Sequence, residues 1–321
     1  MRPKVYVTRR LPDDLLEPLS NIADITVFPH EDMPVDRTAL LQQVNGVAGI
    51  VSMLTDRIDE EVFAAAGPSL QVVANMAVGY DNIDREAAIR HNVMVTNTPD
   101  VLTETTADLV FGLLLATARR IPQAEQYLRT GQWKTWSPML FAGTDVFGKT
   151  LGIVGMGRIG QAVAKRALGF GMRVLYHNRR PNRDQEATMH STWLPFDELL
   201  RAADFVVVLV PGSADTAALF GVREFALMKP SAIFINAARG TVVDESALVE
   251  ALSNHTIHAA GLDVYQQEPI RMDHPLLSLD NAVLLPHIGS ASVATRRRMA
   301  ELAIENCVAV ITGRPPIHRI V

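Results

Sequence analysis

Leu151-Gly152-Ile153-Val154-Gly155-Met156-Gly157-Arg158-Ile159-Gly160 joins a short apolar run to a segment with helical spacing that continues through Ala164 and Ala167. A bare G-x-G-x-x-G pattern carries little weight. At the end of a strand and the start of a helix it has the context that dinucleotide binding requires. Gly155 permits a tight turn, Gly157 lets the backbone approach a pyrophosphate, and Gly160 lets the helix pack close to the strand. The helix N-terminus, opening at Arg158 and Ile159, presents free N–H groups and a partial positive charge to the phosphates.

Outward from this stretch, Val- and Ile-rich runs alternate with longer helix-like segments. Thr150–Val154, Arg173–His177, Phe205–Val210, Ala232–Asn236, Ala259–Val264 and Ala282–Leu285 form one series. Lys4–Thr8, Asp24–Phe28, Gly49–Met53, Gln71–Met76 and Val93–Thr96 form an earlier one. Continuous apolar runs of this length read as strands buried on both faces of parallel sheets, with crossover helices between them. The expected fold class is α/β, with two doubly wound parallel-sheet domains. Helices are expected from Thr103 to Ala118 and from Ser292 to Thr312. Trp133 and Trp136 lie in the stretch between the two series, where the alternatives are a subunit interface and core packing.

The bulk properties narrow the class. The chain has 321 residues, 48% of them hydrophobic and 20% charged, with a net charge of −5. That charge gives no pull toward nucleic acid or anionic lipid. Cys307 is the single cysteine, so neither an intrachain disulfide nor a cysteine-based zinc site is expected. No apolar stretch approaches the roughly 20 residues of a membrane span. The expectation is a cytoplasmic protein without a metal, a nucleic-acid partner or a membrane partner.

The residue ending the strand after the glycine motif bears on which nucleotide binds. An acidic side chain there would bond the ribose hydroxyls of NAD. Asn178 stands in that place, 18 residues after Gly160, and Arg179 and Arg180 follow it. Guanidinium groups suit a phosphate dianion through bidentate bonds. NADP, in its reduced form, is therefore expected over NAD, with Arg179 and Arg180 near the 2′-phosphate; the alternative is two solvated arginines.

Polar residues then follow the C-terminal ends of three strands of the second series, the place where open α/β sheets bind ligands. Arg239 stands in Asn236-Ala237-Ala238-Arg239-Gly240, Asp263 and Glu268 follow Gly261-Leu262, and His287 stands in Pro286-His287-Ile288-Gly289-Ser290. Arg239, Glu268 and His287 suit reduction of a carbonyl: His287 as proton donor near neutral pH, Glu268 orienting the imidazole, Arg239 binding and polarising the substrate.

With these residues in hand, the chain resembles the D-isomer-specific 2-hydroxyacid dehydrogenase family, and within it most looks like the glyoxylate/hydroxypyruvate reductases. The matching segments are Val78-Gly79-Tyr80-Asp81-Asn82-Ile83-Asp84, Thr103-Glu104-Thr105-Thr106-Ala107-Asp108, the glycine motif, Ala238-Arg239-Gly240, Gly261-Leu262-Asp263-Val264 and Pro286-His287-Ile288-Gly289-Ser290. The resemblance implies a flavodoxin-like substrate domain from residues 1–99 and 289–321, with the Rossmann cofactor domain, 100–288, inserted and the active site in the cleft. It assigns Arg239, Glu268 and His287 the roles given above. It implies that Val78 and Gly79 hold the substrate carboxylate through backbone N–H groups; Met53, Leu54, Met76, Trp136 and Ser290 are the candidates for the lining of the substrate pocket. Thr106, Pro211, Ala237, Asp263 and Gly289 join the cofactor contacts, with Asp263 at the carboxamide. The partners implied are a small 2-keto or 2-hydroxy acid and a second copy of the chain in a homodimer, with Trp136 reaching the neighbour's site. Two other functions remain open: an NAD-dependent D-lactate or other D-2-hydroxyacid dehydrogenase, and a nucleotide-sensing corepressor-like binding protein.

Overall fold

The structure, a computed structural model, describes residues Arg2–Val321. By its internal contacts the chain divides into two compact units: Met1–Leu102 with Ser292–Val321, and Thr103–Ala291.

The first unit is built on a parallel sheet of β1 (Lys4–Val7), β2 (Asp24–Val27), β3 (Gly49–Ser52), β4 (Val72–Asn75) and β5 (Met94–Thr96), in the order β2-β1-β3-β4-β5. That order reverses between β1 and β3, the kind of switch point at which open sheets bind ligands. Both faces are covered, which is why β3 and β4 are buried along their whole length. On one face Tyr6, Ile50, Val73 and Val95 pack with Val62 and Phe63. The closing helix, Val293–Ile311, begins where the Ser292 hydroxyl accepts from the Thr295 N–H at 3.2 Å. It buries Met299, Leu302, Ala303 and Cys307 against β3 and β4.

The second unit carries seven parallel strands: β6 (Thr150–Val154), β7 (Arg173–His177), β8 (Ser191–Trp193), β9 (Phe205–Val208), β10 (Ile233–Asn236), β11 (Ala259–Leu262) and β12 (Ala282–Leu284). Their order is β12-β11-β10-β9-β6-β7-β8, a dinucleotide-binding sheet with one added edge strand and its switch point between β6 and β9. Alternation sorts the strand residues between two cores. Ile153, Tyr176, Val207 and Ile235 meet the helices Thr103–Ala118 and Arg158–Gly169; Val154, Leu175, Val206 and Phe234 meet three helices on the other face. Phe196, Phe220, Phe225 and Phe234 interlock there, with ring centroids 5.0–6.1 Å apart. Truncating a fully buried ring such as Phe234 costs about 3–5 kcal/mol.

The expected strands are present, and beyond single-residue shifts at their ends there are three differences. Phe205–Val210 ends as a strand at Val208, because after the Leu209 N–H donates to the Val154 carbonyl the chain crosses Gly155. Ala259–Val264 ends at Leu262, where Asp263 begins the site loop. Edge strand β8 had no apolar run to mark it. Core packing does not describe the tryptophans: Trp133 is 55% and Trp136 75% exposed in this single chain. Among the described residues no helix is long and apolar enough to cross a membrane.

Candidate active site

The glycine motif closes β6 with each glycine in a distinct position. Gly155 has φ +105°, and a Cβ there would lie 2.7 Å from the Leu209 carbonyl carbon, so two loops cross with no room for a side chain. A Cβ on Gly160 would be driven into the Gly155 carbonyl, which is the tight helix–strand approach the spacing implies. At Gly157 a Cβ would meet nothing within 4 Å, so this backbone faces open space. Gly157 precedes helix Arg158–Gly169 and, without a side chain, does not itself cap that end. An open approach and the helix dipole fit a pyrophosphate. Of the two residues after Gly157, Arg158 is exposed, while half-buried Ile159 packs on the core.

At the end of β7, the Asn178 Oδ1 accepts from the Met156 N–H at 2.8 Å, inside the glycine turn. Its carbonyl accepts from the Trp193 indole at 3.0 Å. The amide oxygen is thus committed to the turn, and the amide nitrogen remains as the polar end of the side chain. Arg179 and Arg180 are exposed and form no ion pair among the described residues. Pro211, after β9, is exposed, with its carbonyl held by the Thr216 hydroxyl at 2.7 Å.

Three consecutive strand ends carry the ionisable residues. After β10, the buried Asn236 side chain accepts from the Ala238 N–H and donates to the Arg239 carbonyl, both at 3.0 Å. This braces the turn through Ala237 on which Arg239 stands. Gly240 follows because a Cβ there would be driven into the Tyr265 carbonyl. Gly212 gives the Arg239 stem room: a Cβ would lie 3.0 Å from its Cγ. After β11, Glu268 accepts from the Tyr265 N–H at 3.0 Å, and the Tyr265 hydroxyl donates to the Leu285 carbonyl at 2.9 Å, tying this loop to the end of β12. After β12, His287 stands in the left-handed region at φ +54°, a conformation that costs a non-glycine residue about 1–2 kcal/mol.

His287 Nδ1 and Glu268 Oε2 are 2.6 Å apart, in a pair whose side chains are 24% and 27% exposed. Burial pushes the Glu268 carboxyl up. The hydrogen bond and charge of His287, the Tyr265 N–H and the charge of Arg239 together outweigh it and hold the group below the ordinary carboxylate range. The arrangement is therefore an ionised carboxylate clamped to one imidazole nitrogen, with the other nitrogen left for chemistry.

Asp263 is buried between these loops. Its Oδ1 accepts from the Ile288 N–H at 2.7 Å, and burial raises its carboxyl above the ordinary range. Gly289 closes over it, since a Cβ there would lie 3.2 Å from Asp263 Oδ2 and 3.5 Å from Thr106 Cγ2. Arg239, Glu268, His287, Asp263, Thr106 and Gly289 thus belong to one neighbourhood of the second unit. Ser290, also in that unit, is half-buried.

Leu54, Val78 and Gly79 belong to the first unit. Leu54 follows β3, in a turn whose Met53 N–H donates to Asp56 Oδ2 at 2.7 Å. Val78 and Gly79 follow β4 and are half-buried. Sequence reading missed the residues that hold these loops: Asn75, Asn97, Asn236, Asp56 and Tyr265. Asn82 stood inside a quoted motif with no role; its amide donates to the Met53 and Asp56 carbonyls at 3.1 and 3.0 Å. The available signal was a polar residue closing an apolar strand, as Asn75 and Asn236 do.

Comparison with known proteins accords with this geometry. The family model for the D-isomer specific 2-hydroxyacid dehydrogenase, NAD binding domain, matches residues 111–289. A glyoxylate reductase of Thermococcus gammatolerans is 49% identical over 320 residues, covering 98% of this chain and 95% of its own. One from Korarchaeum cryptofilum is 48% identical over 317 residues, covering 98% and 95%. Among solved structures, a protein from Thermus thermophilus has a TM-score of 0.93 at 47% identity, covering 99% of this chain and 100% of that one. The NADPH-dependent glyoxylate/hydroxypyruvate reductase of Sinorhizobium meliloti, in complex with NADP and malonate, has a TM-score of 0.87 at 37% identity, covering 100% and 97%. With a dinucleotide cradle, a clamped His–Glu pair and relatives matched along nearly their whole length, the chain belongs to the D-isomer specific 2-hydroxyacid dehydrogenase family of nicotinamide-dependent oxidoreductases.

Proposed function

We propose that this chain reduces small 2-keto acids, glyoxylate and hydroxypyruvate, to D-2-hydroxy acids with NADPH, and that His287 donates the proton. The observation that carries the reading is the 2.6 Å His287–Glu268 pair in the same unit as the glycine turn and the helix that opens after Gly157. The names of the full-length relatives support the substrate class.

When bound, the reduced nicotinamide would supply the hydride for the carbonyl carbon. Glu268 fixes Nδ1 of His287, so Nε2 is the nitrogen that gives its proton to the carbonyl oxygen as negative charge develops there. Arg239 attracts that oxygen and the carboxylate, stabilising charge where it appears. Hydride and proton together convert the ketone or aldehyde to a hydroxyl group, and His287 regains a proton from solvent. Val78 and Gly79 offer N–H groups to the substrate carboxylate, and Leu54, Trp136 and Ser290 border its side chain. Gly155, Gly157, Arg158, Ile159 and Gly160 would hold the pyrophosphate, and Thr106, Pro211, Ala237, Asp263 and Gly289 would complete the cofactor contacts.

The NADPH preference draws on Asn178, Arg179 and Arg180. With its oxygen committed to Met156, Asn178 offers an N–H donor where a carboxylate would bond the ribose hydroxyls of NAD, and two exposed guanidinium groups, with no ion pair among the described residues, stand next to it. A homodimer is the proposed assembly. Its support is the exposed apolar run from Leu128 through Trp136, Met139 and Phe147, of which the last two are each 78% exposed, more than a solvated segment of this length carries.

The test measures kcat/KM for glyoxylate, hydroxypyruvate, pyruvate and 2-ketogluconate with each cofactor. The reading expects turnover of the first two and a value for NADPH at least about tenfold above NADH, as loss of a charge-assisted pair implies. An NADH preference overturns the cofactor assignment. No turnover of any keto acid overturns the enzyme reading in favour of a nucleotide sensor.

A further inference from the structure

Around Val78 and Gly79 the hydrogen bonds are one-sided. The Ala77 carbonyl accepts from the Thr98 N–H at 2.9 Å. The Val78 carbonyl accepts from Asn97 Nδ2 at 2.9 Å. The Gly79 carbonyl accepts from Asn75 Nδ2 at 3.0 Å. The N–H groups of Val78 and Gly79 donate to nothing among the described residues. In a trans peptide, the carbonyl of one residue and the N–H of the next share a plane and point opposite ways. Holding the Ala77 carbonyl therefore sets the Val78 N–H, and holding the Val78 carbonyl sets the Gly79 N–H. Three consecutive carbonyls are each held by a donor of the same unit, and the two N–H groups between them donate to no described residue.

We propose that Asn97 is a positioning residue that aims the Gly79 N–H group at the substrate carboxylate, while Asn75, by holding the Gly79 carbonyl, fixes the peptide that follows. The inference rests on the reading that the Val78 and Gly79 N–H groups receive that carboxylate. Asn75 is fully buried at the end of β4. Its Oδ1 accepts from the Ser52 hydroxyl at 3.2 Å and lies 3.4 Å from Asn82 Nδ2. Asn82 in turn holds the Met53 and Asp56 carbonyls, so the turn that carries Leu54 is fixed by the same amide network. Asn97 follows β5 and acts on the Val78 carbonyl directly. A carboxylate recognised by two N–H groups gains from both only when they converge, so releasing one carbonyl weakens recognition without touching any group that reacts.

The decisive variant is Asn97→Asp, which keeps shape and removes the donor; Asn97→Ala, at a half-buried position that water can enter, serves if the first does not fold. Each is compared with the wild type on glyoxylate and on methyl glyoxylate, which lacks the charge. The proposal expects KM for glyoxylate to rise about tenfold or more, the scale of one hydrogen bond to a charged group. It expects kcat to fall by less, and NADPH affinity and KM for the ester to stay within about twofold. An unchanged KM for glyoxylate in a folded variant, or an equal rise for acid and ester, overturns it. If the wild type itself does not distinguish acid from ester, the carboxylate reading fails first, whatever the Asn97 variants do.

Discussion

One carboxyl group in each unit, Asp56 in the first and Glu268 in the second, stands in a loop that follows a strand end, and the two behave in opposite ways. Glu268 faces the His287 imidazole at 2.6 Å and the charge of Arg239, and these hold it below the ordinary carboxylate range against its burial. Asp56 is 3% exposed, and the groups that touch it are neutral: the Thr8 hydroxyl and the Met53 N–H. Arg9 acts on it only through its charge, and burial prevails, raising Asp56 above the ordinary range. Burial with neutral donors makes a carboxyl group a pin for a turn. Burial beside a cation makes it one half of an acid–base pair. The same contrast divides the loops: the first unit offers backbone N–H groups held in place by amides, and the second offers ionisable side chains.

The comparison can be broken from its reactive side first. Arg239→Ala removes a cation that is proposed both to bind the substrate and to polarise it. We expect kcat to fall and KM for the keto acid to rise, with a combined loss in kcat/KM of about 10²–10⁴-fold. Arg239→Lys should recover little, because a point charge does not reproduce the guanidinium fork. Steady-state kinetics check both variants.

Glu268→Gln keeps the shape and removes the charge. We expect kcat to fall about 10–100-fold as His287 loses its ionic clamp. A pH effect on stability accompanies it. Because the folded value of Glu268 is depressed, its contribution is present above the unfolded carboxylate value of about 4.3 and is lost as pH falls through the lower folded value. Thermal unfolding followed from neutral to acid pH should show a steeper decline in the wild type than in the variant.

Asp56→Asn is the smallest change and carries the opposite sign. A raised folded value means that the contribution of Asp56 is present below the ordinary carboxylate value and is lost as pH rises through the folded one. The variant should therefore match the wild type in acid and become equal or more stable by up to about 1 kcal/mol near neutral pH, with kcat/KM changed less than about twofold. A strong loss of activity in a folded Asp56→Asn protein would mean that its charge, and not its hydrogen bonds, serves the site.

The reactive half of this comparison was legible in the sequence and the pinning half was not. Arg239, Glu268 and His287 stand just beyond apolar strands, so strand ends and residue chemistry together point to them. The glycine motif was legible for the same reason, and Gly155, Gly157 and Gly160 have the distinct surroundings their spacing implies. Asn75, Asn97 and Asn236 were invisible as clamps, because an amide becomes one only through the carbonyls that folding brings to it, and no spacing encodes that. Strand β8 escaped because Ser191–Trp193 is an edge of three residues with a single buried position and no apolar period. The role of Asn178 changed in kind: it stands at the position proposed to select the nucleotide, yet its oxygen serves the glycine turn.

The central claim is that His287, clamped by Glu268, is the proton donor. Its most direct test measures single-turnover NADPH oxidation by glyoxylate and equilibrium NADPH binding in His287→Ala. The account predicts a fall in the turnover rate of at least about 10²-fold, with the dissociation constant for NADPH unchanged within about threefold. A rate within a few-fold of the wild type in a variant that still binds NADPH would contradict it.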